Sequence, residues 1–282
     1  MEKNQFNAGL PDIQKTKDER GVYIHRVGVS EVKVPITVTK KDGELLRTVA
    51  DFSMEVGVEA EKKGTHMSRF TQVLMDHLDK EYISCKDFHR IAKEIAERLE
   101  APISFFKVEM DYFLFKPSPV SKIAGIAPYR AWIELTYSPT MNEYHCLVGV
   151  KVVGQTYCPC SKEISEYDAT IKKGKGAHAQ HGNVTIEVLH DSRETIWFED
   201  LIQIAEDSMS APAYPVLKRA DEKHVTIQGY ENPCFVEDVL RNAYLKVDKH
   251  PHVAGFRIRV VNDEVIHFHK ATGEVKKSFF QI

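Results

Sequence analysis

The sequence predicts an α+β fold in which antiparallel strands are covered by pairs of helices. Two observations carry this. Strand-like runs come in groups with helical segments inserted between them, and the order β, β, α, α, β, β occurs in each half of the 282 residues. The halves meet near Ser138–Asn142, where Pro139 and small polar residues interrupt the pattern. The expected organisation is a polar leader over residues 1–20, a first ββααββ module over 21–140 and a second over 141–282, packing as two units or as one domain.

In the first half, Gly21 to Lys40 reads as two extended segments rich in Val and Ile. Residues 50–58 alternate, with Ala50, Phe52, Met54, Val56 and Val58 on one face and Asp51, Ser53 and Glu55 on the other, which is the period of a half-buried strand. Phe70, Val73, Leu74 and Leu78, then Phe88, Ile91, Ala92, Ile95 and Leu99, have helical spacing. Strands follow at about 104–115 and 126–137.

In the second half, strands are expected at about 144–157 and 183–190, and a helix through Phe198, Leu201, Ile202 and Ala205. Asn232-Pro233 announces another helix, as a cap followed by proline in the first turn, continuing through Val236, Val239, Leu240, Ala243 and Tyr244. Strands at about 254–261 and 264–270, joined by a tight Asn262-Asp263 turn, close the chain.

Composition narrows the function classes. Apolar residues make up 43% and charged residues 28%, with a formal charge of −3, which are ordinary globular values. Beyond the short Lys172–Lys175 run there is no basic tract, so nucleic acid is not the expected partner. No stretch approaches the ~20 apolar residues of a membrane span. The N-terminal residues hold no apolar signal core, so the expected location is the cytoplasm. Five cysteines, an odd count, argue against a disulfide framework. The 13 His residues gather toward the C-terminal half and direct attention to metal or acid–base chemistry.

Tyr157-Cys158-Pro159-Cys160-Ser161-Lys162 ends an expected strand. Thiolates are soft ligands that borderline metals prefer, and two cysteines one residue apart do not readily bridge each other. If one binds a metal, the other is free for a second task; two small buried hydrophobes are the competing reading. Gly176-Ala177-His178-Ala179-Gln180-His181-Gly182 is a glycine-flanked loop that presents imidazole with little hindrance, against the plain reading of solvated loop histidines. Asp221-Glu222 offers carboxylates to complete a Cys/His/Glu site, or forms a charged surface turn. Glu237 stands in the first turns of a helix, where an acid also gains from the helix dipole alone. His267 and His269 flank Phe268 on the last expected strand; spacing of two puts both imidazoles on one face, suited to proton shuttling, or simply exposed at an edge. No phosphate loop, dinucleotide fingerprint or nucleophile elbow is present.

Taken together, Lys63-Gly64-Thr65-His66-Met67-Ser68-Arg69-Phe70, Cys158-Pro159-Cys160-Ser161-Lys162, Ala177-His178-Ala179-Gln180, Asp221-Glu222-Lys223, Tyr230-Glu231-Asn232-Pro233 with Phe235-Val236-Glu237-Asp238, and Ile266-His267-Phe268-His269 resemble type IB GTP cyclohydrolase, over roughly residues 20–270. The resemblance implies a tunnelling fold, with two tandem ββααββ modules whose antiparallel sheets assemble into barrels, in a homo-oligomer, expected to be a tetramer, with active sites at subunit interfaces. It implies hydrolysis of GTP to formate and 7,8-dihydroneopterin triphosphate, the first step toward tetrahydrofolate. It implies a divalent metal (Zn²⁺, Mn²⁺ or Fe²⁺) held by Cys158, His178 and Glu222, the choice of His178 over His181 resting on the Gly-Ala-His match. Cys160, His267 and His269 are the implied catalytic groups. Glu237 is the implied anchor of the guanine edge, and His66 and Arg69 are the implied triphosphate contacts. The stretch from Glu163 to Gly176 is longer than in some members of the family. The alternatives are another tunnelling-fold pterin or purine enzyme, a non-catalytic metal-binding protein, or an assembly module without metal.

Overall fold

A computed structural model of the chain describes residues 11–77, 83–84, 87–167, 176–190 and 195–279. The first ten residues of the expected leader, Leu78, Cys85 and the Lys172–Lys175 run lie outside the described residues. The elements in order are β1 (Ile24–Thr39), β2 (Leu45–Val58), α1 (Met67–Asp76), β3 (Ile83–Ser84), α2 (Phe88–Arg98), β4 (Ser104–Pro117), β5 (Ala124–Ser138), β6 (Glu143–Tyr157), α3 (Pro159–Tyr167), β7 (Ala179–His190), α4 (Phe198–Glu206), β8 (Ala211–Pro212), α5 (Arg219–Glu231), α6 (Val236–Val247), β9 (Val253–Asn262) and β10 (Ala271–Lys277).

The α+β class stands, but the arrangement of strands corrects the expected fold. The strands share one hydrogen-bonded sheet in the order β10-β9-β7-β6-β5-β4-β2-β1-β3, with β8 added on β6. The two tandem ββααββ modules with barrel-forming sheets are therefore not what this chain builds: among the described residues the strands follow one open path from β10 to β3. The reason lies at residues 139–142. The interruption there is a hairpin turn between β5 and β6, which are hydrogen-bonded neighbours, so the sheet continues where the pattern breaks. Asn142 takes φ 52° in that turn, a left-handed conformation that Asn tolerates well.

Compact units by chain contact are residues 1–36, 50–108 and 134–144 for the first, and 37–49, 109–133 and 145–282 for the second. In the first unit, the alternating set from Ala50 to Val58 is buried on one side of β2. Phe70, Val73 and Leu74 of α1 and Phe88, Ile91, Ala92 and Ile95 of α2 are also buried. Phe52, Phe88 and Phe106 form an aromatic cluster with ring centroids 5.7–6.2 Å apart. Arg98 closes the helix pair through Asp76 and Glu94.

In the second unit, β6 pairs antiparallel with β7 from Cys146↔His190 to Tyr157↔Ala179, and β7 with β9 from Gly182↔Asn262 onward. Helices α4 and α6 pack on one another and on these strands. Tyr244 of α6 meets Phe256 of β9 edge to face at 5.0 Å.

Four local expectations are revised. Residues 21–40 give one long strand, β1, rather than two segments. Asp221-Glu222 is not a turn but the first turn of α5. Asn232 closes α5 instead of opening the next helix; α6 starts at Val236, where the Asp238 carboxylate accepts from Phe235 N–H at 3.0 Å. Residues 263–270 are a loop, and the closing strand is β10 at Ala271–Lys277.

Candidate functional site

The site is built where β6 and β7 end together. Cys158 follows the last residue of β6 and precedes Pro159, a residue well suited to the first turn of α3. Its backbone N–H donates to the His178 carbonyl at 3.1 Å, continuing the β6–β7 ladder by one step. Ser161 Oγ donates to the Cys158 carbonyl (3.2 Å) and accepts from His178 N–H (3.0 Å), so the glycine-flanked loop is fastened to the first turn of α3. Cys158 is half-buried and Cys160 is exposed; neither is in a disulfide.

The His178 ring is engaged from one side. Its Nδ1 lies 3.0 Å from Oε1 of the buried Gln180, whose Nε2 donates to Glu264 Oε1 at 3.3 Å. Glu264 lies in the loop after β9, and the preceding Asp263 N–H holds that loop to β7 by donating to the His181 carbonyl (2.9 Å). A hydrogen bond from Lys270, working against partial desolvation, holds the Asp263 carboxyl below the usual range. The same loop carries His267 and His269, both exposed, their rings stacked at 4.7 Å with 15° between planes. The same-face placement expected on a strand is thus replaced by a stacked pair on a loop.

A cavity of about 180 Å³ opens beside these groups. Cys158, Gln180 and Glu264 line it together with Cys234 and Phe235, Glu237 and Leu240 of α6, Asn262 of β9, and Thr272 of β10. It brings Cys158 and Glu237 to one site from distant parts of the sequence. Cys234 is fastened there by its N–H to the Tyr157 carbonyl (3.0 Å), and burial pushes its thiol upward in pKa. The sequence assigns no site role to Cys234, Gln180, Asn262, Glu264 or Thr272; Gln180 stands inside the Ala177–Gln180 motif and Asn262 is expected only as a turn residue.

Glu222 is not among the cavity residues. It is exposed on α5, 3.7 Å from Arg219. It shares a helical face with Val225 and Gly229, and Gly229 packs on the Tyr157 ring, so Glu222 stands two turns, roughly 10 Å, along the axis from that contact. Asp221 faces inward instead and accepts from Lys218, Val120 and Ser121 N–H groups (each 2.8 Å) and from Ser121 Oγ (2.6 Å). Among the described residues, no three His, Cys, Asp or Glu side chains converge tightly enough to hold a metal ion. The donor chemistry nevertheless fits one at two positions, a half-buried thiol and an imidazole joined through their own backbones.

His66 and Arg69 belong to the first unit. His66 occupies the N-cap position of α1 without a capping side-chain bond, 3.4 Å from Asp12, and Arg69 Nη1 donates to the Arg98 carbonyl at 2.9 Å.

Fold and cavity together define an α+β protein with a concavity of the kind that takes a small molecule, lined by thiol, amide and carboxylate groups. Comparison with known proteins then gives the family. The model described as Type I GTP cyclohydrolase folE2 matches residues 10–273, and the chain belongs to that family. It is 40% identical over 272 residues to GTP cyclohydrolase FolE2 of Dictyoglomus turgidum, covering 96% of this chain and all of that one. To the same-named protein of Thermosipho melanesiensis it is 38% identical over 274 residues, covering 97% of this chain and 100% of that one. Among solved structures, a hyper-thermostable uricase mutant superposes with TM-score 0.50 at 8% identity, over 92% of this chain and 94% of that one. That likeness speaks for fold alone, and it accords with one continuous sheet in place of two module sheets.

Proposed function

We propose that the chain is a metal-dependent GTP cyclohydrolase of type IB, a hydrolase that turns GTP and water into formate and 7,8-dihydroneopterin triphosphate for folate synthesis in the cytoplasm. The observation that carries the reading, beside membership of the family, is the cavity that joins Cys158 to Glu237. Glu237, on the first turn of α6, offers a carboxylate that accepts from the N–H groups of the guanine edge. Cys158, His178 and Glu222 are the proposed holders of a divalent cation, Zn²⁺, Mn²⁺ or Fe²⁺. The exposed ion pair of Glu222 with Arg219 restrains its carboxylate only weakly. When bound, the cation supplies Lewis acidity, lowering the pKa of water toward neutrality. Cys160, His267 and His269, all at solvent-facing positions, are the proposed proton carriers as the imidazole ring of the purine opens. Arg69 keeps N–H donors beyond the one given to Arg98, and with His66 it is the proposed triphosphate contact.

The test is incubation of Zn²⁺-, Mn²⁺- or Fe²⁺-reconstituted protein with GTP, scoring formate and the fluorescence of oxidised neopterin. Both products are expected, and a chelator should abolish them. Cys160→Ser should lower turnover by about 10²–10⁴-fold with metal retained, the scale of a lost acid–base group. Cys158→Ser should lose metal and turnover together. Absence of formate with all three metals would overturn the proposal.

A further inference from the structure

We propose that Gln180 and Glu264 are positioning residues, an amide relay that holds the His178 imidazole as its Nδ1–H tautomer and leaves Nε2 bare. The relay admits one set of donors. A carboxylate only accepts, so the end of Gln180 that meets Glu264 at 3.3 Å is its NH₂ group. The amide oxygen is then the atom 3.0 Å from His178 Nδ1, and that nitrogen must carry the proton. A neutral imidazole has a single N–H, so Nε2 keeps its lone pair, the form that ligates a cation or takes up a proton.

The relay is anchored at each joint. Gln180 is only 6% exposed and is paired with Thr156 in the β6–β7 ladder, so its amide has little water with which to exchange partners. The residue before Glu264 is tied to β7 by the bond from Asp263 N–H to the His181 carbonyl. The same chain of contacts links the His178 loop to the root of the loop that carries His267 and His269. Both relay residues line the cavity with Cys158 and Glu237. The inference rests on the proposed function only for the use made of Nε2; the tautomer itself is a property of the chain without metal or substrate.

The experiment uses full-length, chelator-treated protein labelled with ¹⁵N-histidine, with the ring tautomer of His178 read from long-range ¹H–¹⁵N correlations at mildly alkaline pH. The unsubstituted chain is expected to show Nδ1–H; a predominant Nε2–H form would overturn the proposal without any variant. Gln180→Leu, which removes the acceptor, should release His178 into a tautomer mixture, as should Glu264→Ala, which frees the amide to turn over. The interchanged pair, Gln180→Glu with Glu264→Gln, still places an acceptor at Nδ1 and should restore the Nδ1–H form. Zn²⁺ affinity, measured by competition with a chromophoric chelator, should fall about 10–100-fold in Gln180→Leu and recover in the interchanged pair. An unchanged tautomer in both Gln180→Leu and Glu264→Ala would reject the relay. GTP turnover by the unsubstituted enzyme, scored separately, decides the proposed activity and leaves this result standing.

Discussion

At Asp221, burial and hydrogen bonding pull a carboxyl in opposite directions. Burial raises its pKa, but donors from Ser121, Lys218 and Val120 outweigh that effect and hold it well below the usual carboxylate range. Its folded value lies below the ~3.9 of an unfolded Asp, so its stabilising contribution is complete above about pH 4. The contribution is lost as pH falls through the folded value. Asp221→Asn should therefore unfold at lower urea concentration at pH 7, with a smaller deficit at pH 3. An equal deficit at both pH values would mean that the charge is not what stabilises. The adjacent pair also explains a limit of sequence reading. Asp221 and Glu222 look equivalent in the motif, yet successive helical residues diverge by about 100°. One therefore faces the Ser118–Ser121 loop, and the other faces solvent.

At the scale of elements, α5 is seated on the end of β6 through a glycine. A Cβ at Gly229 would stand 2.3 Å from the Tyr157 ring. The Tyr157 main chain cannot retreat freely, because its N–H donates to Ser210 Oγ (3.0 Å) and its carbonyl accepts from Cys234 N–H. Gly229→Ala should cost about 1–3 kcal/mol in urea unfolding, the range of core overpacking. It should also lower GTP turnover, since α5 carries Glu222 and Tyr157 precedes Cys158. Wild-type stability and turnover would show that α5 does not bear on the site. The loop after β9 shows why one element was misread. Ile266, His267, Phe268 and His269 alternate apolar and polar as a strand would, but β10 pairs with β9 from Ala271↔Asn262 onward. Long-range register, not the local pattern, decided which residues joined the ladder.

At the scale of the whole molecule, the strand path among the described residues ends at β10 and β3, and a sheet edge left unpaired there invites another chain. Beside β10, an apolar groove of about 510 Å³ is lined by Leu240, Arg241, Tyr244, Leu245 and Val275, and by Glu237 of the cavity. A second copy of the chain is the occupant consistent with the tetramer that the family resemblance implies. Sedimentation equilibrium should give the mass of four 32.2 kDa chains, and a monomer at micromolar concentration would refute the assembly. Among the described residues, no helix is long and apolar enough to cross a membrane.

What the sequence determined by itself were the features that depend on near neighbours. Alternation from Ala50 to Val58 marked a buried strand face, and the i, i+3, i+4, i+7 spacing of Phe88, Ile91, Ala92 and Ile95 marked α2, because side-chain periodicity is local geometry. The motifs around Cys158, His178 and Glu237 were legible as a family pattern, and the family comparison bears out the GTP cyclohydrolase resemblance. Only tertiary structure decided that the strands share one sheet, that Cys158 and Glu237 line one cavity, and that Cys234, Asn262 and Glu264 stand beside them. Strand partners and cavity walls come from residues far apart in the chain. Their meeting is set by register and packing summed over many contacts, and no short stretch of sequence encodes that sum.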